Sequence, residues 1–186
     1  VLNIGPAVEP DFDNYVAGPN AEAVAAVRSF AARSARESVM YLWGEPGSGR
    51  SHLLRAAARA NPGLAIADDV EKLEAPAQQR LFAAINAARE GAAPVLAAGS
   101  RPPAQLTLRE DLRTRLAWGL VYQLKPLTDA EKTLHLRAQA ARRGLRLSDE
   151  VLAYLLSRLP RDLASLNAVL EALDRDAGPY VVETTD

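Results

Sequence analysis

The chain has 186 residues, a formal net charge of −1 and no cysteine, so it can form one or two small domains but has no disulfide framework or thiolate metal site. Its composition is that of a folded globular protein, and its balanced charge disfavours non-specific binding to duplex DNA, so a protein partner is favoured. It contains neither a secretory leader nor an apolar run of about 20 residues, which predicts a cytoplasmic protein without a membrane span.

Residues 1–19 predict an extended arm, because they contain prolines and glycines and little periodicity. Residues 20–125 alternate helical and strand patterns, which favours a parallel, doubly wound α/β sheet flanked by helices. The predicted elements are a helix capped by Asn20 and running through Ala32, strands at 38–43, 64–67, 95–98 and 120–124, and helices at 52–59, 75–90 and 108–116.

Residues 126–186 predict a small helical lid domain, with the domain boundary near Lys125 and Pro126. Thr128 and Glu131 form a capping box that opens a helix ending at Gly144. The pattern then predicts a second helix, capped by Ser148 and ending near residue 158, and a third at 161–174.

A phosphate-binding loop is predicted between the first strand and the following helix. Gly44, Gly49 and Ser51 are in register with the pattern glycine, four residues, glycine, lysine, then serine or threonine. Glycines let backbone N–H groups close around a phosphate, and the N-terminus of the next helix adds positive potential. The Ser51 hydroxyl is a predicted Mg²⁺ ligand. The competing interpretation is an ordinary glycine-rich turn.

Arg50 replaces the lysine of the motif. An arginine keeps the positive charge but presents a longer, planar group, so contact with the phosphates can persist while the placement of the terminal phosphate changes. The sequence therefore predicts nucleotide binding with weak turnover or none.

Two carboxylates end the second predicted strand. Asp68 is placed to hold Mg²⁺, and Asp69 to orient or deprotonate an attacking water. Many such ATPases have glutamate at the second position, and aspartate is one methylene shorter. The alternative is a solvated acidic strand end.

Arg115 lies where a helix ends and the chain turns into the last predicted strand. An arginine held at such an edge can reach a neighbouring molecule's terminal phosphate and stabilise charge in the transition state. Arg161, at the start of the last predicted helix, can reach the phosphates of this chain's own nucleotide. For a helical surface arginine the competing reading is simple solvation.

Five segments, taken in order along the chain, together resemble the DnaA-related AAA+ family. They are residues 12–20, the phosphate-binding loop, Asp68-Asp69, the Arg115–Gly119 element and Arg161-Asp162-Leu163. The glycine-arginine-serine-histidine ending of the loop, at 49–52, is similar to the Hda branch of that family.

The resemblance implies a regulator that holds ADP or ATP with Mg²⁺ and acts with the DNA-loaded replication sliding clamp, the β subunit of DNA polymerase III. It would stimulate ATP hydrolysis by DnaA and so prevent re-initiation of replication. Arg115 then matches an arginine finger offered to DnaA in trans, and Arg161 matches sensor II. The implied nucleotide contacts are Tyr15, Val16, Gly47, Ser48, Gly49, Arg50, Ser51, His52 and Arg161.

The chain also differs from the family pattern. The stretch between Ser51 and Asp68 has room for one helix and one strand, whereas the family places a further strand and helix there. The sensor I position falls at residues 98–100, where a polar side chain is not assured. Leu2 and Ile4 match the last anchors of a clamp-binding motif, and the alternative is an ordinary extended arm with two apolar residues. No helix-turn-helix domain is expected, so direct sequence-specific DNA binding is not predicted.

Two further hypotheses remain open at this point. One is a self-sufficient ATPase resembling DnaA or a helicase loader, and the other is a scaffold whose phosphate-binding loop is empty. The resemblance is also compatible with association between copies of the chain.

Overall fold

The computed structural model describes residues 9–158 and 167–172. These residues belong to two compact units, one of them at 10–126 and the other containing the chain from Leu127 onward. In the described part of the chain, no helix is long and apolar enough to cross a membrane.

The first unit is a four-stranded parallel sheet with helices on both faces. Its strands lie in the order β2-β3-β1-β4, with β3 and β4 on either side of β1. The elements are α1 (Ala21–Ala31), β1 (Val39–Trp43), α2 (Arg50–Ala60), β2 (Ala65–Ala67), α3 (Ala75–Arg89), β3 (Val95–Gly99), α4 (Glu110–Leu116) and β4 (Leu120–Gln123). The predicted α/β class and its element order are confirmed, with boundaries shifted by up to two residues.

Two apolar layers cover the sheet, because alternate residues of a strand point to opposite faces. Met40 and Leu42 pack with α1 and α2, whereas Val39 and Tyr41 pack with α3 and α4. Burial on both faces explains why the central strands are continuous apolar runs rather than alternating ones.

The region between Ser51 and Asp68 contains one helix, α2, and one strand, β2, as its length predicts. As a result β2 is an edge strand of the sheet that the structure describes, and Ile66 in its centre is 40% exposed.

The predicted capping role of Asn20 is wrong. Asn20 immediately precedes α1, but its side chain makes no hydrogen bond to the helix. Instead its amide donates to the Lys125 carbonyl at 2.8 Å and accepts from the Lys125 N–H at 2.8 Å. Asn20 therefore joins the start of α1 to the chain that leaves β4.

We expect Asn20→Ala to lower the free energy of unfolding by about 2 kcal/mol, because it removes two hydrogen bonds at a buried site and leaves the Lys125 peptide groups unpaired. Urea titration of the purified chain measures this. Glu22→Ala, an exposed change in the first turn of α1, serves as the control. An effect no larger than that of the control would contradict the assignment.

The second unit contains α5 (Asp129–Arg142) and α6 (Asp149–Arg158), and residues 167–172 are also helical. Thr128 and Glu131 form the predicted capping box, and the Ser148 hydroxyl accepts from the Val151 N–H at 3.3 Å. An apolar cluster joins these helices through residues that include Leu136, Leu152 and Leu170. The first part of the predicted third helix, with Arg161, lies outside the described residues, as do Leu2 and Ile4.

Candidate nucleotide-binding site

The phosphate-binding loop connects β1 to α2 at the carboxyl end of the sheet. Gly47 and Gly49 adopt φ angles of +83° and +89°, which favour glycine, and Gly49 directly precedes α2 without any side-chain cap. A Cβ on Gly44 would lie 2.3 Å from the Leu124 carbonyl oxygen. The backbone of this loop therefore requires glycine at these three positions.

Two buried polar atoms at the loop have no hydrogen-bond partner among the described residues. They are Ser48 Oγ and Arg50 Nη1. Unpaired buried polar groups are costly, and such sites are commonly completed by a ligand. Together with the uncapped N-terminus of α2, these donors fit the phosphates of a nucleotide.

Ser51 and Asp68 meet directly, because α2 and the end of β2 are adjacent at this edge. The Ser51 hydroxyl donates to Asp68 Oδ2 at 2.5 Å. A hydroxyl and a carboxylate are hard oxygen donors of the kind that Mg²⁺ prefers. The two predicted metal ligands therefore converge, although the part of the chain described has no group of three or more histidine, cysteine or acidic side chains that could hold a metal ion.

Arg50 contacts Asp69 in this structure. Its Nη2 lies 3.5 Å from Asp69 Oδ1, and the Arg50 side chain is only 11% exposed. Lys72 Nζ lies 2.7 Å from the other carboxylate oxygen, Asp69 Oδ2, and this hydrogen bond raises the pKa of Lys72. Each oxygen of Asp69 thus faces a cation.

The backbone at Asp69 is also unusual. Its φ angle of +45° lies in the left-handed region that non-glycine residues seldom adopt. The chain turns there into a short 3₁₀ helix at Val70–Lys72, which returns Lys72 to Asp69. This turn creates the contact between Asp69 and Lys72, and no local sequence pattern predicts it.

Tyr15 packs against the loop from the N-terminal side. Its hydroxyl donates to the Ser48 carbonyl at 3.3 Å, and its ring makes an edge contact with the His52 ring, the centroids being 5.2 Å apart. Burial raises the pKa of Tyr15 to about 12. A Cβ on Gly49 would lie 2.7 Å from the Tyr15 ring, and the neighbouring Val16 is half-buried. The structure therefore places Tyr15 and His52 beside the loop.

Arg115 lies on α4 and contacts two aromatic rings. Its Cζ is 4.4 Å from the centroid of Phe82 and 4.8 Å from that of Trp118. It forms no ion pair with any carboxylate in the described residues. An open groove of about 600 Å³ runs beside it, and the residues that line this groove are Arg109, Glu110, Asp111, Thr114, Arg115 and Trp118.

The backbone around Arg115 is fixed by packing. Leu112 and Leu116, on the same helix, are fully buried. A Cβ on Gly119 would lie 1.9 Å from the Val39 carbonyl oxygen, so the turn that follows the helix is held against β1. The backbone that carries Arg115 is therefore held by the packing of α4 and of the turn that follows it.

The sequence did not reveal Glu71 as a member of the site. Glu71 Oε1 accepts from the Ser100 N–H at 3.2 Å, so its carboxylate lies at the carboxyl end of β3. The sequence shows that an acidic residue follows Asp69 by two positions. The direction of the Glu71 side chain, however, depends on the turn at Asp69.

Comparison with known proteins agrees with this architecture. A family model described as "Hda, lid domain" matches residues 129–177. Domain III of the Thermotoga maritima replication initiation protein DnaA is similar with a TM-score of 0.72 and 20% identity, covering 96% of this chain and 94% of that one.

Two longer structures are also similar. AMPPCP-bound DnaA from Aquifex aeolicus has a TM-score of 0.71 and 18% identity, covering 95% of this chain and 67% of that one. A DNA replication initiation factor has a TM-score of 0.69 and 18% identity, covering 90% of this chain. This chain spans only 64% of the length of that factor. Residues 129–177 are therefore similar to the lid domain of Hda, and the fold of the chain is similar to that of DnaA domain III.

Proposed function

We propose that this chain is a nucleotide-bound regulator of replication initiation that stimulates ATP hydrolysis by DnaA while hydrolysing little or no ATP itself. Arg115 would complete the ATP site of DnaA, and the chain's own loop would hold ADP or ATP. The replication sliding clamp on DNA is the proposed co-activator. The Hda lid match and the DnaA-like fold support this class of function.

The observation that carries the proposal is the state of Arg115. A guanidinium that is held on two aromatic rings and forms no ion pair in the described residues remains available to an external anion. In the transition state of phosphoryl transfer, negative charge is spread over the equatorial oxygens of the terminal phosphate of ATP, and an arginine supplied by a second protein stabilises that transition state. The rigid base of α4 supports the same role, because a finger must arrive preoriented.

The state of Asp69 supports weak turnover in the chain's own site. A carboxylate that orients or deprotonates water must present an oxygen to it. Both oxygens of Asp69 contact cations instead, and one of these cations is Arg50, which stands at the motif's lysine position. The loop would then bind the nucleotide with Ser48, Gly49 and Arg50, while Ser51 and Asp68 would hold Mg²⁺, which neutralises phosphate charge when bound.

A self-sufficient ATPase is the second candidate, because the converging Ser51 and Asp68 preserve the oxygen pair that a metal-dependent hydrolase needs. The two candidates differ in which ATP is consumed. The regulator leaves ATP nearly intact when alone, whereas the ATPase turns it over at ordinary rates of about 1 s⁻¹ or faster.

The proposal is tested by measuring phosphate release from ATP by the chain alone, by DnaA alone and by the mixture with DNA-loaded clamp. We expect release from the mixture to exceed the sum of the two separate rates at least about tenfold. Additive rates would refute the proposed regulation, and fast release by the chain alone would favour the ATPase.

A further inference from the structure

Trp118 is an exposed aromatic residue that the apolar core does not need. It is 52% exposed, and among the described residues it belongs to neither apolar layer of the sheet. Its ring lies instead beside two cations, with Arg89 Cζ at 4.4 Å and Arg115 Cζ at 4.8 Å from the ring centroid. Because a half-exposed ring gains little from burial, these cation contacts indicate what the ring does.

The backbone fixes the position of the Trp118 ring. The backbone N–H of Trp118 donates to the Arg115 carbonyl at 3.2 Å, in the turn that ends α4. The next residue, Gly119, lies so close to β1 that a Cβ on it would be 1.9 Å from the Val39 carbonyl oxygen. The indole is therefore attached to a backbone that is held on both sides, and it offers a fixed surface to a longer, more mobile side chain.

Arg115 needs such a surface, because its guanidinium stands at the end of several rotatable bonds. Phe82, on α3, provides one ring at 4.4 Å from Arg115 Cζ, and this ring packs against the apolar layer beneath it. Trp118 provides the second ring from the other end of α4. A cation is attracted to the face of an aromatic ring, so two rings on different elements restrict where the guanidinium can lie.

We propose that Trp118 is a positioning residue, which holds Arg115 in the orientation that meets the terminal phosphate of ATP bound to DnaA. This inference rests on the proposed stimulation of DnaA and assigns Trp118 a part in it. Trp118 acts through Arg115, so its loss lowers the rate of stimulated hydrolysis more than the affinity between the two proteins. The attraction depends on the charge distribution of an aromatic ring, so a second aromatic residue can replace Trp118, whereas an aliphatic one cannot.

The kinetic test is single-turnover hydrolysis of ATP held by DnaA, with DNA-loaded clamp and increasing concentrations of this chain. For Trp118→Leu we expect the maximal rate to fall at least about fivefold and the half-saturating concentration to change less than about twofold. Trp118→Phe keeps an aromatic ring and should retain at least about half of the maximal rate.

Arg89→Ala is the matched control for this experiment. It removes the other cation beside the same ring and leaves the contact between Trp118 and Arg115 in place. The maximal rate should therefore fall less than about twofold.

NMR of the purified chain tests the contact itself, without DnaA. The side-chain Nε–H signal of Arg115, assigned with Arg115→Lys, should be shifted by the ring currents and should show restricted motion. In Trp118→Leu the signal should move toward that of an exposed arginine such as Arg55 and its motion should increase, whereas Trp118→Phe should keep it restricted. The backbone amide spectra of the same samples show whether each variant is folded.

Three results would overturn the assignment. An unchanged maximal rate or an unchanged Arg115 signal in Trp118→Leu would mean that Phe82 alone holds the guanidinium. A higher half-saturating concentration with an unchanged maximal rate would make Trp118 a direct contact with DnaA. Equal losses in Trp118→Leu and Trp118→Phe would exclude the aromatic ring as the cause.

Failure of this role is distinguishable from failure of the proposed function. If the wild-type chain does not stimulate DnaA, the proposed regulation fails and the role of Trp118 fails with it. If the wild-type chain stimulates DnaA and Trp118→Leu does so equally well, only the role of Trp118 is refuted.

Discussion

Arg115→Ala is expected to abolish the stimulation of DnaA, lowering the clamp-dependent rate of ATP hydrolysis about 10³-fold. The truncation removes the guanidinium that would face the terminal phosphate of DnaA's ATP. It leaves the phosphate-binding loop intact, so the chain should bind ADP as before. Single-turnover hydrolysis of ATP held by DnaA measures the first effect, and calorimetry with ADP measures the second.

Two variants separate position from charge in this experiment. Arg113→Ala removes a positive charge from the same helix and should reduce stimulation less than about twofold, because Arg113 makes neither of the aromatic contacts described for Arg115. Arg115→Lys keeps the charge but loses the planar fork, so most of the stimulation should still be lost. If Arg115→Ala stimulates as well as the wild type, Arg115 is not the finger.

The second large effect is expected at Arg50. Arg50→Ala should weaken ADP binding about tenfold to hundredfold, because it removes a mostly buried cation from the end of the loop. Arg50→Lys restores the motif's usual residue and should retain ADP binding within about tenfold. Since a lysine lacks the fork that reaches Asp69, the carboxylate becomes available to water, and ATP turnover by the chain alone should rise.

Arg55→Ala is the matched control, because Arg55 is an exposed arginine on the same helix. Nucleotide affinity measured by calorimetry should be unchanged in this variant. An Arg50→Ala variant that binds ADP like the wild type would show that the arginine serves the contact with Asp69 and not the phosphates.

The sheet and the loop were predictable because their signals are local. Strand β1 is apolar along its whole length, since helices cover both faces of the sheet. The loop depends on the spacing of Gly44, Gly49 and Ser51 within eight residues, and a motif of that kind can be read without any tertiary contact. The capping box at Thr128 is local in the same way.

Several contacts in and near the site were not predictable, because they join residues that are apart in the sequence. Asn20 has a residue type typical of a helix cap, but its amide binds the Lys125 peptide 105 positions away. The pairing of Arg50 with Asp69 and of Glu71 with Ser100 depends on the left-handed turn at Asp69. Each residue was visible in the sequence, but the direction of its side chain was not.

In the proposed regulation, the ATP that is hydrolysed is bound to DnaA and not to this chain. The most direct test preloads DnaA with ATP labelled on the terminal phosphate, adds this chain carrying unlabelled ADP with DNA-loaded clamp, and follows release of labelled phosphate in a single turnover. We expect acceleration of at least about tenfold over DnaA with clamp alone, and loss of that acceleration with Arg115→Ala. Release at the same rate with and without the chain would contradict it.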